Sequence, residues 1–345
     1  MKELFSINDF VPNFINEVMM YFAAKPGETV DDGRKRTLET FSQHLKTNYS
    51  FEAIRYHKEI IAICDSLCEV APLVRFYQDN YFGYRSCYYW NEKIADGKTY
   101  PELLFDERKP FFTKWENAVF GSRYIYYKYR DHVLPIVYEQ ANRDPGIGTG
   151  FVVGTNIIVT ARHCIEGANN ISFGKIPYDK YRDAQVYYHS NPNIDIAIIL
   201  IAPLETFGLK LSNEFKIFEK VITMGYPKIP GFTCFQTAEE AVVSAVPEER
   251  FTVTEGQVAA EAQQLWSREN LFLITAKVKG GNSGGPVINQ YGYCIGLVSQ
   301  EPFAEGGYDD LGYGTAVPAR FILDIVKDVS QHQQSKNINF VEYSE

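Results

Sequence analysis

The sequence predicts a chain of the α+β, multidomain class. A helical, aromatic-rich domain is expected over residues 1–135, an all-β domain over residues 136–330, and a C-terminal tail over residues 331–345. Two observations support this division. Apolar residues recur at helical spacing in the first part, whereas short β-branched runs separated by Gly, Pro, Asn and Asp dominate from about residue 146 onward. Many short strands at nearly even spacing indicate antiparallel barrels or a sandwich.

The composition restricts the class of protein further. With 345 residues, 45% of them hydrophobic, the chain is long enough for two globular domains. No uninterrupted apolar run reaches about 18 residues, so we expect no membrane span. Residues 1–6 lack a basic segment followed by an apolar one, so we expect no secretory signal and a cytoplasmic location.

Six cysteines are spread thinly over the chain, at positions 64, 68, 87, 164, 234 and 294. Their spacing indicates neither a disulfide framework nor a zinc site, so we expect buried free thiols. No motif for a metal or nucleotide cofactor is apparent, and we expect no cofactor.

The net charge of −9 is distributed unevenly. Residues 1–135 hold 18 Lys and Arg against 19 Asp and Glu, a net charge of −1, whereas residues 136–345 hold 16 against 24, a net charge of −8. An acidic second half disfavours nucleic acid as a partner.

The first 135 residues are expected to be mostly helical. Apolar residues at four-residue steps form one stripe, at Phe10, Phe14, Val18 and Phe22. Further helices are expected over about residues 36–46, 51–68, 69–82 and 115–129. The aromatic residues at 81–84 and 88–90 admit two interpretations, a recognition surface or a small core packed with aromatics. Because this region carries no catalytic constellation, its function is inferred only from its position before the β domain: we expect a regulatory domain or one that binds a partner, for which an activating protein is the candidate.

Residues 280–286, Gly-Gly-Asn-Ser-Gly-Gly-Pro, have the composition of a nucleophile loop. A serine hydroxyl needs a base within hydrogen-bond reach and a pair of donors for the oxyanion that it creates. Glycines on both sides let the backbone turn tightly and let a substrate carbonyl approach the N–H groups of Gly281 and Ser283. Alone, the stretch could equally be a plain glycine-rich turn.

Two further residues supply what a nucleophilic Ser283 needs. His163 follows a predicted hairpin over residues 148–160, and Asp195 leads into an apolar strand over residues 196–200. Burying a carboxylate is costly without a partner, and a histidine N–H is such a partner. In this hypothesis Asp195 holds the tautomer of His163, His163 takes the proton, and Ser283 attacks.

These segments resemble those of trypsin-like serine proteases, and more closely those of the HtrA/Deg type. Residues 160–164 (Thr-Ala-Arg-His-Cys), 195–197 (Asp-Ile-Ala) and 281–286 (Gly-Asn-Ser-Gly-Gly-Pro) are similar to the three signature segments, in the His, Asp, Ser order of the chymotrypsin fold. Residues 148–151 (Gly-Thr-Gly-Phe) and 312–318 (Gly-Tyr-Gly-Thr-Ala-Val-Pro) resemble two further HtrA/Deg stretches. The resemblance covers about residues 145–330.

The resemblance implies two six-stranded β-barrels joined near residues 203–217, with the active site between them. The first barrel would carry His163 and Asp195, and the second would carry Ser283. The N–H groups of Gly281 and Ser283 would form the oxyanion hole. The implied function is that of an intracellular serine endopeptidase acting on proteins or peptides. The alternative is a protease-fold binding module that has lost its activity.

The resemblance also implies a substrate-binding region. A substrate would pair as an added strand along Val298, Ser299 and Gln300. The base of the S1 pocket would fall near Lys277, six residues before Ser283, which would favour an acidic P1 side chain. Two alternatives are that Lys277 points to solvent or is neutralised by Glu301 near the pocket wall.

Three departures from the family pattern bear on regulation. Secreted trypsin-like enzymes pair the Cys after the catalytic His with one at the start of the hairpin, whereas here Thr149 or a neighbour occupies that place and Cys164 is expected to stay reduced. Asn282 stands where an Asp would pair with a newly formed N-terminal amine, so that route of activation is unavailable. Only about 15 residues follow a closing helix expected over 318–329, so we expect no PDZ domain.

Overall fold

The computed structural model describes residues 3–25, 27–33, 36–81, 83–139, 145–168, 170–227, 251–263, 270–299, 312–335 and 338–343. The chain divides into two compact units, Met1–Ile125 and Tyr126–Glu345. No helix among the described residues is long and apolar enough to cross a membrane.

The first unit is mostly helical. Its helices are α1 (Phe14–Phe22), α2 (Val30–Gly33), α3 (Leu38–Tyr49), α4 (His57–Val70) and α5 (Phe105–Tyr129), the last of which continues into the second unit. Two antiparallel pairs of short strands accompany them, β1 (Val74–Tyr77) with β2 (Cys87–Tyr89) and β3 (Lys93–Ala95) with β4 (Lys98–Thr99). The helix expected over residues 69–82 is wrong, because α4 ends before Pro72, which lacks the N–H that would continue it.

An aromatic core holds the first unit together. Phe14, Val18 and Phe22 of the predicted stripe are fully buried, whereas Phe10 is 52% exposed. The residues at 88–90 are buried as well, and Trp90 Nε1 donates to the Met19 carbonyl at 3.0 Å. The core-packing interpretation is therefore correct for residues 88–90.

The described residues of the second unit form a β domain that includes three short α-helices. Its strands are β5 (Val133–Glu139), β6 (Pro145–Val153), β7 (Ile157–Thr160), β8 (Asn170–Phe173), β9 (Gln185–Tyr188), β10 (Ala197–Leu200), β11 (Lys210–Leu211), β12 (Lys220–Gly225), β13 (Thr252–Gln263), β14 (Asn270–Ile274), β15 (Pro286–Asn289), β16 (Tyr293–Val298), β17 (Gly314–Pro318), β18 (Gln333–Gln334) and β19 (Asn339–Phe340). Its helices are α6 (Arg162–Ile165), α7 (Tyr178–Tyr181) and α8 (Ala319–Lys327). A strand expected over residues 240–246 lies outside the described residues.

The strands form two sheets, as the chymotrypsin fold requires. The first has the order β18-β9-β10-β7-β6-β5-β8-β19, and the second has the order β11-β16-β15-β12-β13-β14-β17. An additional pairing of β16 with β17 closes the second sheet into a six-stranded barrel, to which β11 adds in parallel. Between described strands, no pairing joins β8 to β9, so the first sheet is a half-barrel rather than the second closed barrel that we expected.

The edges of the first sheet are covered by residues that were expected to form a tail. β18 pairs antiparallel with β9, and β19 pairs parallel with β8. Phe340 is 7% exposed and contacts the rings of Phe173 and Tyr181. Pairing with these short strands satisfies edge groups that would otherwise be open.

Candidate active site

His163 lies just beyond the β6–β7 hairpin. β7 ends at Thr160, and the short helix α6 begins two residues later. Arg162 anchors this helix, because its guanidinium donates to both carboxylate oxygens of Glu166 at 2.8 and 2.6 Å. The imidazole of His163 is held on a turn whose neighbouring residues are fixed by these bonds.

Asp195 lies immediately before β10 and is 8% exposed. One carboxylate oxygen accepts the backbone N–H of His163 at 2.9 Å. The other accepts the Nδ1–H of His163 at 2.7 Å and the hydroxyl of Ser299 at 2.5 Å. The structure therefore brings His163 and Asp195 together through two hydrogen bonds.

This environment raises the pKa of His163 and lowers the pKa of Asp195. Burial lowers the pKa of His163, but its hydrogen bonds to Asp195 and Cys164 and the Asp195 charge raise it more, so the net shift is upward. Burial raises the pKa of Asp195, but the hydrogen bonds from His163 and Ser299 lower it more, so the carboxylate stays ionised. An anionic Asp195 keeps the proton of a neutral His163 on Nδ1 and leaves Nε2 free as a base.

The nucleophile loop, residues 280–286, is held by backbone hydrogen bonds. Asn282 N–H donates to the Lys279 carbonyl at 2.9 Å, and Gly285 N–H donates to the Asn282 carbonyl at 2.9 Å. Gly284 N–H donates to the Val298 carbonyl at 2.7 Å. These bonds build a tight turn that places Ser283 between two left-handed glycines, at φ 96° for Gly281 and 84° for Gly284.

Two N–H groups in this loop remain available to a ligand. Among the described residues, no acceptor bonds the N–H of Gly281 or of Ser283. Both residues were predicted as oxyanion-hole donors, and an oxyanion hole requires N–H groups that are not already bonded, as these two are not among the described residues.

Ser283 is joined to the His163 segment through Cys164. The Cys164 thiol donates to the Ser283 carbonyl at 3.6 Å. Within the described residues, no hydrogen bond links Ser283 Oγ with His163 Nε2. Catalytic hydrogen bonds are often long without substrate and tighten in the complex, so this arrangement is compatible with proton transfer.

Secreted trypsin-like enzymes pair the Cys after the catalytic His with a second Cys, and Gly148 lies where the partner of Cys164 would be. A Cβ built on Gly148 would lie 2.8 Å from Cys164 Sγ. Cys164 and the other four described cysteines, Cys64, Cys68, Cys87 and Cys294, are free, as expected. Cys234 lies outside the described residues.

Of the residues predicted to pair with a substrate, Val298 and Ser299 are described, and both make hydrogen bonds within the protein. Val298 is buried and its N–H donates to the Gly285 carbonyl at 2.8 Å, while Ser299 N–H donates to the Thr315 carbonyl at 3.0 Å. The hydroxyl of Ser299 donates a hydrogen bond to the Asp195 carboxylate. Gln300 and Glu301 lie outside the described residues.

Lys277 is exposed on the loop that follows β14. Its neighbours alternate, since Ala276 is fully buried and Val278 packs on the barrel core, whereas Thr275 and Lys279 are exposed like Lys277. This placement agrees with the alternative in which Lys277 points to solvent.

Sequence reasoning missed the role of two buried hydroxyls. Thr149 bonds the backbone of the nucleophile loop, and Ser299 bonds Asp195. Thr149 had been noted only as part of a family motif and Ser299 only as a substrate-binding position, because a contact across more than 100 residues leaves no local pattern in the sequence. No group of three or more His, Cys, Asp or Glu among the described residues could hold a metal ion.

Comparison with known proteins gives a consistent result. The family model described as "Trypsin-like peptidase domain" matches residues 148–297. A probable periplasmic serine endoprotease, DegP-like, from Chlamydia trachomatis is 30% identical over 195 residues, which cover 54% of this chain and 35% of that protein. Serine protease Rv3671c from Mycobacterium tuberculosis is 28% identical over 153 residues, covering 44% of this chain and 35% of that protein.

Solved structures are also similar. The crystal structure of the active form of the M. tuberculosis Rv3671c protease aligns with a TM-score of 0.47 and 21% identity, covering 62% of this chain and 88% of that one. The chain spans about a third of the length of the curated relatives that it matches. Residues 148–297, which contain His163, Asp195 and Ser283, match the trypsin-like peptidase domain.

Proposed function

We propose that this protein is a serine endopeptidase that cleaves protein or peptide substrates through Ser283, His163 and Asp195. The observation that carries the proposal is the His163–Asp195 pair, joined by hydrogen bonds of 2.7 and 2.9 Å. The nucleophile loop supports the proposal as well, because the N–H groups of Gly281 and Ser283 have no acceptor among the described residues.

The proposed reaction has two halves. Ser283 Oγ attacks the scissile carbonyl carbon and gives its proton to His163 Nε2, while the N–H groups of Gly281 and Ser283 bind the oxyanion. Asp195 stabilises the imidazolium that forms. Collapse of the tetrahedral intermediate breaks the C–N bond, and His163 returns the proton to the leaving amine. Water, deprotonated by His163, then hydrolyses the acyl-enzyme and releases Ser283.

Covalent labelling and peptide cleavage test this proposal together. A fluorophosphonate probe should label the wild-type chain once, at Ser283, and a peptide library should reveal cleaved sequences. The Ser283→Ala variant should fold, fail to react with the probe and lose cleavage. Cleavage that persists in this variant would refute the assignment of the nucleophile. A wild-type chain that neither reacts with the probe nor cleaves any peptide would support the alternative of an inactive binding module.

We propose further that residues 1–135 regulate this activity or recruit a partner. The support is that the first compact unit has a hydrophobic core of its own and lies before the peptidase domain in the chain. A variant without residues 1–125 should differ from the full chain. An inhibitory role predicts faster cleavage of a short peptide, and a recruiting role predicts slower cleavage of a protein substrate only. Equal rates on both substrates would contradict regulation.

An intracellular, cytoplasmic location is also proposed. The free state of the described cysteines supports it, whereas relatives named as periplasmic endoproteases favour the opposite. Fractionation of the cells that make the protein decides between them. The protein should be protected from external protease until the inner membrane is opened, and digestion before that step would rule out the cytoplasm.

A further inference from the structure

Thr149 of β6 is fully buried and makes four hydrogen bonds. Its N–H donates to the Ser283 carbonyl at 3.0 Å, and its hydroxyl donates to the Gly281 carbonyl at 2.7 Å. The same hydroxyl accepts the Tyr226 N–H at 2.9 Å, and the Thr149 carbonyl accepts the Thr160 hydroxyl at 2.7 Å. One residue of the first sheet therefore bonds the carbonyls of both residues whose N–H groups would bind the oxyanion.

The bonds fix two alternate peptide planes of the loop. The plane after Gly281 is held at its carbonyl by the Thr149 hydroxyl and at its N–H by Lys279. The plane after Ser283 is held at its carbonyl by Thr149 N–H and at its N–H by Val298. Among the described residues, two N–H groups of the loop have no acceptor: that of Gly281, in the plane before Gly281, and that of Ser283, whose plane is held only at the Asn282 carbonyl by Gly285 N–H.

The backbone can therefore rotate at Gly281 on one side only, because hydrogen bonds hold the peptide plane after this residue. Its φ of 96° lies in the left-handed region, where glycine moves without the penalty that a side chain would impose. The direction of its N–H depends on the rotation about Gly281, and the carbonyl bonded to Thr149 is the fixed end of that rotation. If the carbonyl were released, the Gly281 N–H could turn away from the oxyanion.

We propose that the Thr149 hydroxyl is a positioning group that holds the oxyanion loop in its working conformation. The proposal rests on the endopeptidase function proposed above. Thr149 does not touch the substrate; it acts through the Gly281 carbonyl. Its hydroxyl must both donate and accept, so only Thr or Ser satisfies Gly281 and Tyr226 at once.

The packing leaves no space for a larger group at this position. A Cβ on Gly225 would lie 3.0 Å from Thr149 Oγ1, and a Cβ on Gly285 would lie 3.3 Å from Thr149 Cγ2. Thr149→Val keeps the shape and removes the hydroxyl. Thr149→Ser keeps the hydroxyl and removes the methyl group, so the two variants separate hydrogen bonding from packing.

Steady-state kinetics on a peptide that the wild type cleaves test the proposal. Losing an oxyanion donor outright costs about 100- to 1000-fold in kcat, and a donor that is present but misdirected should cost less. We expect Thr149→Val to lower kcat by about 10- to 100-fold with KM within about threefold, because the oxyanion exists only in the transition state. Thr149→Ser should stay within about threefold of the wild type in both constants.

A transition-state analogue gives a second readout that a merely structural role would not change. A peptide boronic acid places an oxygen in the oxyanion site, so its affinity should fall in Thr149→Val by about the same factor as kcat/KM. The affinity of the matching product peptide should not change. The control is Thr223→Val, which removes a buried hydroxyl whose described partner is Thr254 and not the nucleophile loop.

Each outcome decides one question. Wild-type kcat and boronate affinity in Thr149→Val would overturn the role of Thr149, as would equal losses in Thr223→Val. If Thr149→Val does not fold, Thr149→Ala takes its place, because it removes the hydroxyl without adding a group to the site, and wild-type kcat in that variant would also overturn the proposal. A wild type that neither cleaves peptides nor reacts with fluorophosphonate indicates failure of the proposed function instead.

Discussion

Asp195 is a buried carboxylate whose two oxygens receive three donors. An unpaired buried carboxylate would take up a proton, because burial penalises its charged form. Hydrogen bonds from the backbone and ring of His163 and from Ser299 reverse that preference. The negative charge is therefore already in place when His163 receives a proton, and no reorganisation is needed at that moment.

The raised pKa of His163 predicts a pH dependence. Activity requires neutral His163, so kcat/KM should rise with pH, and the midpoint should lie above the ordinary histidine value of 6.5. Replacing Asp195 by Asn removes the carboxylate charge that raises the pKa of His163, and leaves the contact with Cys164, which raises that pKa, and burial, which lowers it. The titration midpoint of the His163 ring, followed by NMR, should therefore fall in Asp195→Asn.

The control for this titration is Ser283→Ala, which leaves both His163–Asp195 hydrogen bonds in place. Its His163 midpoint should remain above 6.5. An unchanged midpoint in Asp195→Asn would show that the carboxylate does not set the pKa of His163.

At the scale of elements, the β6–β7 hairpin serves both halves of the site. It leads into His163, and its first strand supplies Thr149 to the nucleophile loop. β-branched runs with a Gly-Thr-Asn turn made this hairpin predictable from the sequence. The contacts of Thr149 with Gly281 and Ser283 were not predictable, because they depend on how two sheets pack.

Elements with weak patterns were predicted poorly. β18 consists of Gln333 and Gln334, whose polar side chains give no alternation, and it forms because the edge of β9 is open to it. The helix predicted over residues 69–82 covers β1, whose Val-Arg-Phe-Tyr sequence favours a strand once Pro72 has ended α4. Local pattern predicts long apolar elements, whereas tertiary pairing decides short ones.

β19 should contribute measurably to the stability of the peptidase unit. Phe340 is 7% exposed against Phe173 and Tyr181, and its carbonyl accepts the Tyr178 hydroxyl at 3.1 Å. Phe340→Ala should lower the free energy of unfolding by about 3 kcal/mol through the lost burial and the cavity left behind. Urea unfolding of the wild type and the variant measures this difference.

Phe207→Ala is the matched control for Phe340→Ala. Its side chain is 64% exposed, so the free energy of unfolding should change by no more than about 0.5 kcal/mol. Equal effects of the two substitutions would mean that β19 does not contribute through burial of Phe340.

At the scale of the whole molecule, charge is the property that acts over distance. The net charge is −9, and residues 136–345, which include the proposed active site, account for −8 of it. A field of this sign attracts cationic ligands and repels anionic ones over about one Debye length, about 10 Å at 0.1 M salt. Exposed Lys277 and Lys279 are a local exception close to Ser283.

The excess of negative charge predicts opposite salt effects on two matched substrates. Two peptides would share a cleaved sequence and differ only in a remote tail of three Lys or three Glu residues. On raising the salt from about 20 to about 300 mM, kcat/KM should fall by about threefold for the Lys-tailed peptide and rise for the Glu-tailed one. The value of kcat should stay constant, because screening acts on encounter and binding. The same salt dependence for both peptides would show that the field of the whole molecule does not reach the cleft, and a reversed order would show that Lys277 and Lys279 outweigh it.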